Sequence, residues 1–189
     1  MIPALVEGHL EERLLGVLWK QLGHASRRLT IRNAGGSPFW INARRYNEAG
    51  KHQLVVGLAD LEQARCATDA LKQLDKPLSP GFKLRLAVKM IESWVIADRE
   101  AFASHLGLRI ANVPKQPDLL DHPKRTVVDL ARQSRKKSVR EALIPTGQGL
   151  VGAEYTPFMA GFVESRWRSE EARKTSPSLE RACLSWTNL

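Results

Sequence analysis

The first 107 residues alternate between strand-like and helix-like segments, and this alternation constrains the fold more than any other feature. Strand patterns cover 2–6, 28–31, 53–58 and 82–88. Apolar residues recur at helical spacing in 10–22, 40–49, 64–74 and 92–106, with a break expected near Asp98. Because strands joined through helices pair in parallel, the pattern predicts an α/β fold with a mainly parallel sheet flanked by helices.

The character of the chain changes after residue 107. A proline-containing connector is followed by helical patterns at 125–135, 139–143, 155–167 and 179–189. The sequence therefore predicts an α/β core over 1–107 and a helical C-terminal extension over 108–189 that packs on it. The apolar face of the last helix either packs on this core or docks on another subunit; its residues are Leu179, Ala182, Cys183, Trp186 and Leu189.

Acidic residues stand at the ends of the predicted strands. Glu7 ends the first strand, Asp60 and Glu62 follow the third, and Glu92 follows the fourth. Ligands of open parallel sheets bind at the carboxyl ends of the strands, so these carboxylates are candidates for one site if the first and third strands are neighbours. The alternative is structural, because Asp60 can cap the next helix and Glu62 can lie in its first turn.

Carboxylates brought so close together repel one another, and a divalent cation relieves that repulsion. Mg²⁺ prefers oxygen ligands, and a bound metal ion can activate water against a phosphodiester. The spacing of Glu7, Asp60 and Glu62 is thus compatible with a magnesium site.

The chain is basic, with 29 Lys and Arg against 20 Asp and Glu, which gives a net charge of +9. Seven of the basic residues cluster around a single acid, Asp129. They are Lys124, Arg125, Arg132, Arg135, Lys136, Lys137 and Arg140. This basic segment is either a solvated helical face or a surface that follows the phosphates of a nucleic acid.

Two cysteines, Cys66 and Cys183, show no metal-ligand or disulfide-framework spacing. The N-terminal residues lack the basic start of a secretory signal, and no apolar run is long enough to cross a membrane. We therefore expect a cytoplasmic protein with reduced thiols.

Two motifs resemble the Toprim pattern, namely V-E-G-x-x-E-E at 6–12 and D-L-E at 60–62. The stretches 54–66 and 85–107 also resemble a Toprim-like bacterial family of unknown function. That family is related to OLD-type nucleases, and its genes often lie beside those of ABC- or AAA-type ATPases in phage-defence loci. D-H-P-K at 121–124, Tyr155 and S-P-S-L-E-R at 176–181 extend the similarity over nearly the whole chain.

The resemblance implies a Toprim-like fold and a magnesium-dependent nuclease subunit, with Mn²⁺ as another possible cofactor. Such a subunit would cleave DNA or RNA in antiphage defence, within a hetero-oligomer controlled by a partner ATPase. Carried over to this sequence, Glu7 is a general acid/base or metal ligand, and Asp60 and Glu62 are metal ligands. Glu92 is a further acid near the site, and Lys124 is a candidate contact to the scissile phosphate.

Two positions depart from the family pattern. The second motif usually reads D-x-D, whereas this chain has Glu62 as its second acid. Met90 stands where relatives commonly carry another acid. Both changes leave open an alternative function, in which the chain is a catalytically silent adaptor that binds the ATPase or nucleic acid.

Overall fold

The computed structural model describes residues 1–36 and 38–189. In these residues four parallel strands form one sheet in the order β2-β1-β3-β4. The strands are β1 (Ile2–Val6), β2 (Leu29–Asn33), β3 (Val55–Asp60) and β4 (Phe82–Ala87). Helices alternate with the strands and then continue alone to the C-terminus, so the predicted α/β class with a helical C-terminal part is confirmed.

The connections between strands contain helices, as is usual for the crossovers that parallel pairing requires. They are α1 (His9–Gln21), α2 (Phe39–Ala49) and α3 (Ala67–Leu71), the last continued by a short 3₁₀ turn. After β4 the chain forms α4 (Ile91–Ala97) and α5 (Arg99–Leu106). It continues through α6 (Pro123–Gln133), α7 (Lys137–Leu143), α8 (Tyr155–Ser165), α9 (Ser169–Ala172) and α10 (Pro177–Thr187).

The two faces of the sheet bury different cores. Strand β3 is buried along its whole length, and its side chains alternate between the faces. Val55 and Ala59 pack towards α2 together with Phe39 and Phe82. Side chains on the other face of the sheet join a larger apolar cluster with α1, α4, α5 and the later helices. One continuous cluster therefore contains residues from both 1–107 and 108–189.

The apolar face of α10 lies inside this cluster. Leu179, Ala182, Cys183 and Trp186 are fully buried, and α10 packs against β4. The indole nitrogen of Trp186 donates a hydrogen bond to the Lys83 carbonyl (3.1 Å). Of the two uses considered for this face, the structure shows packing on the protein's own core.

Several boundaries differ from those predicted. β3 extends to Asp60 rather than Leu58, because pairing with β4 continues to Asp60 and Ala87. The helix expected over 64–74 is confined to α3 and its 3₁₀ turn. The short helix α9 was not predicted, since four residues are too few to show a helical period. In the described part of the chain, no helix combines the length and the apolar character needed to cross a membrane.

Candidate active site

A pocket of about 290 Å³ opens at the carboxyl ends of β1 and β3. The two strands are hydrogen-bonded neighbours, with Val6 opposite Leu58, so the residues that follow them reach the same edge of the sheet. α1, α4, α6 and α8 complete the walls. Five acidic residues line the pocket, namely Glu7, Glu11, Asp60, Glu62 and Glu92. Lys124 and Tyr155 line it as well.

The structure brings Glu7 and Asp60 into direct contact. Glu7 Oε2 accepts a hydrogen bond from the backbone N–H of Asp60 (3.1 Å). Asp60 itself is 9% exposed, and its Oδ1 accepts from the backbone N–H of Ile91 (2.8 Å). Asp60 therefore reaches from the end of β3 to the start of α4. It does not cap α3, because the residue before that helix is Cys66, which makes no side-chain cap.

Glu62 lies at the exposed side of the pocket. Its backbone has left the strand and adopts a positive φ of 48°. Strand β3 ends at Asp60, so the alternation of side chains along extended backbone does not continue to Glu62. Both residues still line one pocket, and burial, with a smaller contribution from the Glu62 charge, raises the pKa of Glu7.

Glu11 belongs to the pocket although sequence reasoning did not select it. It lies in the first turn of α1, is 7% exposed and interacts electrostatically with Glu7 and Glu92. A Cβ on Gly8 would come within 2.8 Å of Glu11 Oε2, so glycine at this position leaves room for the carboxylate. The available signal was an acid among the apolar residues of the buried helix face, beside Leu10 and Leu14.

Glu92 enters the pocket from α4 and is 2% exposed. Its Oε1 accepts a hydrogen bond from the Tyr155 hydroxyl (3.2 Å) and lies 3.6 Å from Lys124 Nζ. Its Oε2 is buried and has no hydrogen-bond partner among the described residues. A buried carboxylate oxygen without a donor is costly, so Glu92 has an acceptor that a group bound in the pocket could satisfy.

The carboxylates raise one another's affinity for protons. Burial, followed by the charges of Glu11, Glu92 and Glu7, raises the pKa of Asp60 well above its ordinary value. Burial also raises the pKa of Glu11 to about 7, and Glu92 and Glu7 add to that effect. Burial raises the pKa of Glu7, while the Asp60 N–H and Lys124 act in the opposite direction. A bound cation would relieve this repulsion.

The donor set fits a hard divalent cation, because all five acids offer carboxylate oxygens and Glu92 Oε2 has no donor. Across 1–36 and 38–189, however, no three His, Cys, Asp or Glu side chains already converge as a metal site. Backbone N–H groups hold one oxygen of Glu7 and one of Asp60. Each of these carboxylates has a second oxygen with which it could ligate a cation.

The basic segment is divided between several roles. Lys124 belongs to the acidic pocket, and Lys136 Nζ donates to the Ser104 and His105 carbonyls at the end of α5 (3.0 and 2.9 Å). Arg132 and Lys137 pair with acids on their own helices, and Arg140 donates to the Ser134 carbonyl. Two further members, Arg125 and Arg135, are exposed. The surface open to a phosphate backbone is therefore smaller than the seven charges suggest.

Comparison with protein-family models, curated proteins and solved structures finds no match to this chain. Membership of a Toprim-like family stays a prediction from the sequence.

Proposed function

We propose that the acidic pocket binds Mg²⁺ or Mn²⁺ and that the chain hydrolyses phosphodiester bonds of DNA or RNA there. The observation that carries the proposal is that five acidic residues line one pocket, one of them with a buried carboxylate oxygen that has no donor among the described residues. Such a cluster favours a cation, and a cation beside Lys124 in a chain with a net charge of +9 favours a polyanionic substrate.

Glu7, Asp60, Glu62 and Glu92 are the residues proposed to hold the cation. When bound, it would polarise the phosphate and lower the pKa of water. Lys124 lines the same pocket, is 39% exposed and can contact a phosphate oxygen. Burial raises the pKa of Glu7, and it raises the pKa of Glu11 to about 7, so Glu11 can hold a proton near neutral pH and pass it to or from the reacting oxygens.

The cellular setting follows from the family resemblance alone. We propose a cytoplasmic nuclease subunit of an antiphage system, assembled with an ABC- or AAA-type ATPase that controls cleavage. Co-expression with such an ATPase encoded beside the gene, followed by purification of the complex, tests this setting separately from the chemistry.

Cation binding is tested by thermal melting with and without millimolar MgCl₂ or MnCl₂. Binding only to the folded state should raise the melting temperature by mass action. Asp60→Asn should abolish the response, while Asp75→Asn should keep it, because Asp75 is exposed and does not line the pocket. Equal responses from the two variants would reject the cation site.

Hydrolysis is tested on labelled single- and double-stranded DNA and RNA, with the chain alone and with its co-purified ATPase. Cleavage should require the cation and should fall at least about 100-fold in Glu7→Gln and Asp60→Asn, as expected when a metal or acid/base group is lost. Lys124→Met should weaken cleavage as well, because it removes the proposed phosphate contact.

The second candidate function is the catalytically silent adaptor. Its specific support is that no three potential ligands already converge on one point in the described residues, together with Glu62 lying outside the strand. An adaptor would bind the ATPase or nucleic acid equally well in wild type and Asp60→Asn, without cleavage. Phage protection that survives Glu7→Gln and Asp60→Asn would favour the adaptor over the nuclease.

A further inference from the structure

A second groove runs along the outer edge of the sheet, between α3 and α10. Its volume is about 590 Å³, and it shares no lining residue with the acidic pocket. Leu71, Leu78, Leu84 and Leu86 line one part of it, and Leu184 of α10, 57% exposed, lines another. The surface is thus apolar and open, although the opposite face of α10 is buried in the core.

The floor of this groove is the edge strand β4. It pairs with β3 on one side and is the last strand of the sheet. In a parallel pair, alternate backbone N–H and C=O groups of the edge strand face away from its neighbour. The edge of a sheet can pair with another extended chain, which on β4 would displace the bond that Arg85 Nη1 makes to the Leu84 carbonyl.

Two arginines lie in the same groove. Arg85 is on β4 and Arg181 is on α10, and both line the groove. Burial and the nearby Arg181 charge both lower the pKa of Arg85. The Arg85 Nε is buried and lacks a hydrogen-bond partner within the described residues, while its Nη1 reaches the Leu84 carbonyl (3.3 Å). A buried guanidinium donor beside a like charge calls for an anionic group.

We propose that this groove binds an extended segment of a partner protein, which adds a strand to β4 and places a carboxylate against Arg85 and Arg181. Apolar side chains at alternate positions of the segment would pack among the groove leucines. The proposal is independent of the hydrolytic function, because the two sites share no residue.

Two other occupants fit less well. A second copy of the chain, paired edge to edge about a two-fold axis, would bring Arg85 and Arg181 of both copies together without an acid. Nucleic acid satisfies the arginines but leaves the leucines unused, because nucleic-acid interfaces are markedly polar and basic. An acidic, partly apolar peptide satisfies both features of the groove.

The test selects binders from a display library of random twelve-residue peptides on the intact chain. We expect sequences that alternate apolar residues with Asp or Glu. Their affinity, measured by fluorescence polarisation, should fall about tenfold or more in Arg181→Glu and in Leu184→Asp, the loss typical of a charge-assisted contact or a buried leucine. Both residues are exposed, so the variants should fold, which thermal melting verifies.

Matched controls are Arg45→Glu and Leu150→Asp, which are exposed positions outside the groove. They should bind the peptides as the wild type does, and peptide binding should slow hydrogen exchange at the Leu84 and Leu86 amides. The proposal is overturned if no peptide is selected or if groove and control variants bind alike. It is also overturned if the chain self-associates and Leu184→Asp abolishes that association, because the occupant would then be a second copy. If Arg181→Glu removes binding of a dT₁₂ oligonucleotide rather than of the peptides, the occupant would be nucleic acid.

Discussion

The carboxyl group of Glu11 makes the stability of the cation-free protein depend on pH. Burial, with the charges of Glu92 and Glu7, raises its pKa from 4.5 to about 7. The folded chain therefore holds a proton that the unfolded chain releases, so its contribution is complete below pH 4.5 and is lost as the pH rises through about 7. Across this interval we expect the free energy of unfolding to fall by roughly 1–3 kcal/mol.

Urea denaturation at a series of pH values measures this effect. Glu11→Gln, which cannot ionise, should flatten the profile between about pH 5 and about pH 8, while Asp60 and Glu7 keep a residual slope of the same sign. Glu12→Gln is the matched control, because Glu12 is the next residue on α1 and does not line the pocket. Parallel profiles for wild type and Glu11→Gln would contradict the assignment.

The sequence predicted which acidic residues lie close together only where their position along the backbone was enough to place them. Glu7 and Asp60 end neighbouring parallel strands, so their proximity followed from topology. Glu11 could not be found in this way, because its burial depends on how α1 packs over the sheet and on the space left by Gly8. The hydrogen bonds that Glu7 accepts from the Asp60 N–H and that Asp60 accepts from the Ile91 N–H are likewise properties of packing.

At the scale of elements, the junction between α4 and α5 is fixed by Asp98. The break near this residue was predicted, and Asp98 Oδ1 accepts from the Ala101 N–H as the N-cap of α5 (3.3 Å). The carboxylate also accepts from Arg168 Nε and Nη2 (2.9 and 2.8 Å), an interaction between residues 70 positions apart that no local pattern could indicate. Asp98 thus joins the core to the segment before α9.

Asp98→Ala should lower the free energy of unfolding by about 2–4 kcal/mol, because the variant loses a helix cap and the buried carboxylate that pairs with Arg168, and it leaves the half-buried N–H groups of Ala101 and Arg168 without this acceptor. Glu100→Ala is the control, since Glu100 also pairs with Arg168 but is 76% exposed. An exposed pair contributes at most about 1 kcal/mol. Urea denaturation measures the free energy of unfolding of both variants. Equal losses would show that the contacts of Asp98 stabilise the fold no more than the exposed pair of Glu100 does.

At the scale of the whole molecule, the same sequence pattern that separated 1–107 from 108–189 did not predict how closely they share a core. The change from alternating strands and helices to helices alone is real. Yet α8 packs on α1 and α10 packs on β4, within one apolar cluster. Composition and periodicity show which faces of helices are apolar, but the partner of each face depends on long-range packing.

This shared core predicts that the chain unfolds in one cooperative transition. Trp186 is fully buried, its indole N–H donates to the Lys83 carbonyl, and its own carbonyl accepts from His24 Nε2 (2.8 Å). Trp186→Ala should therefore lower the free energy of unfolding by about 3–5 kcal/mol and should lower the stability of the sheet and of the C-terminal helices together.

Leu184→Ala is the matched control on the exposed face of α10 and should change the free energy of unfolding by less than about 1 kcal/mol. Hydrogen exchange during urea titration follows amides of β3 and of α8 separately. If Trp186→Ala loosened only α8 and α10 while β3 kept wild-type protection, the two segments would be independent folding units.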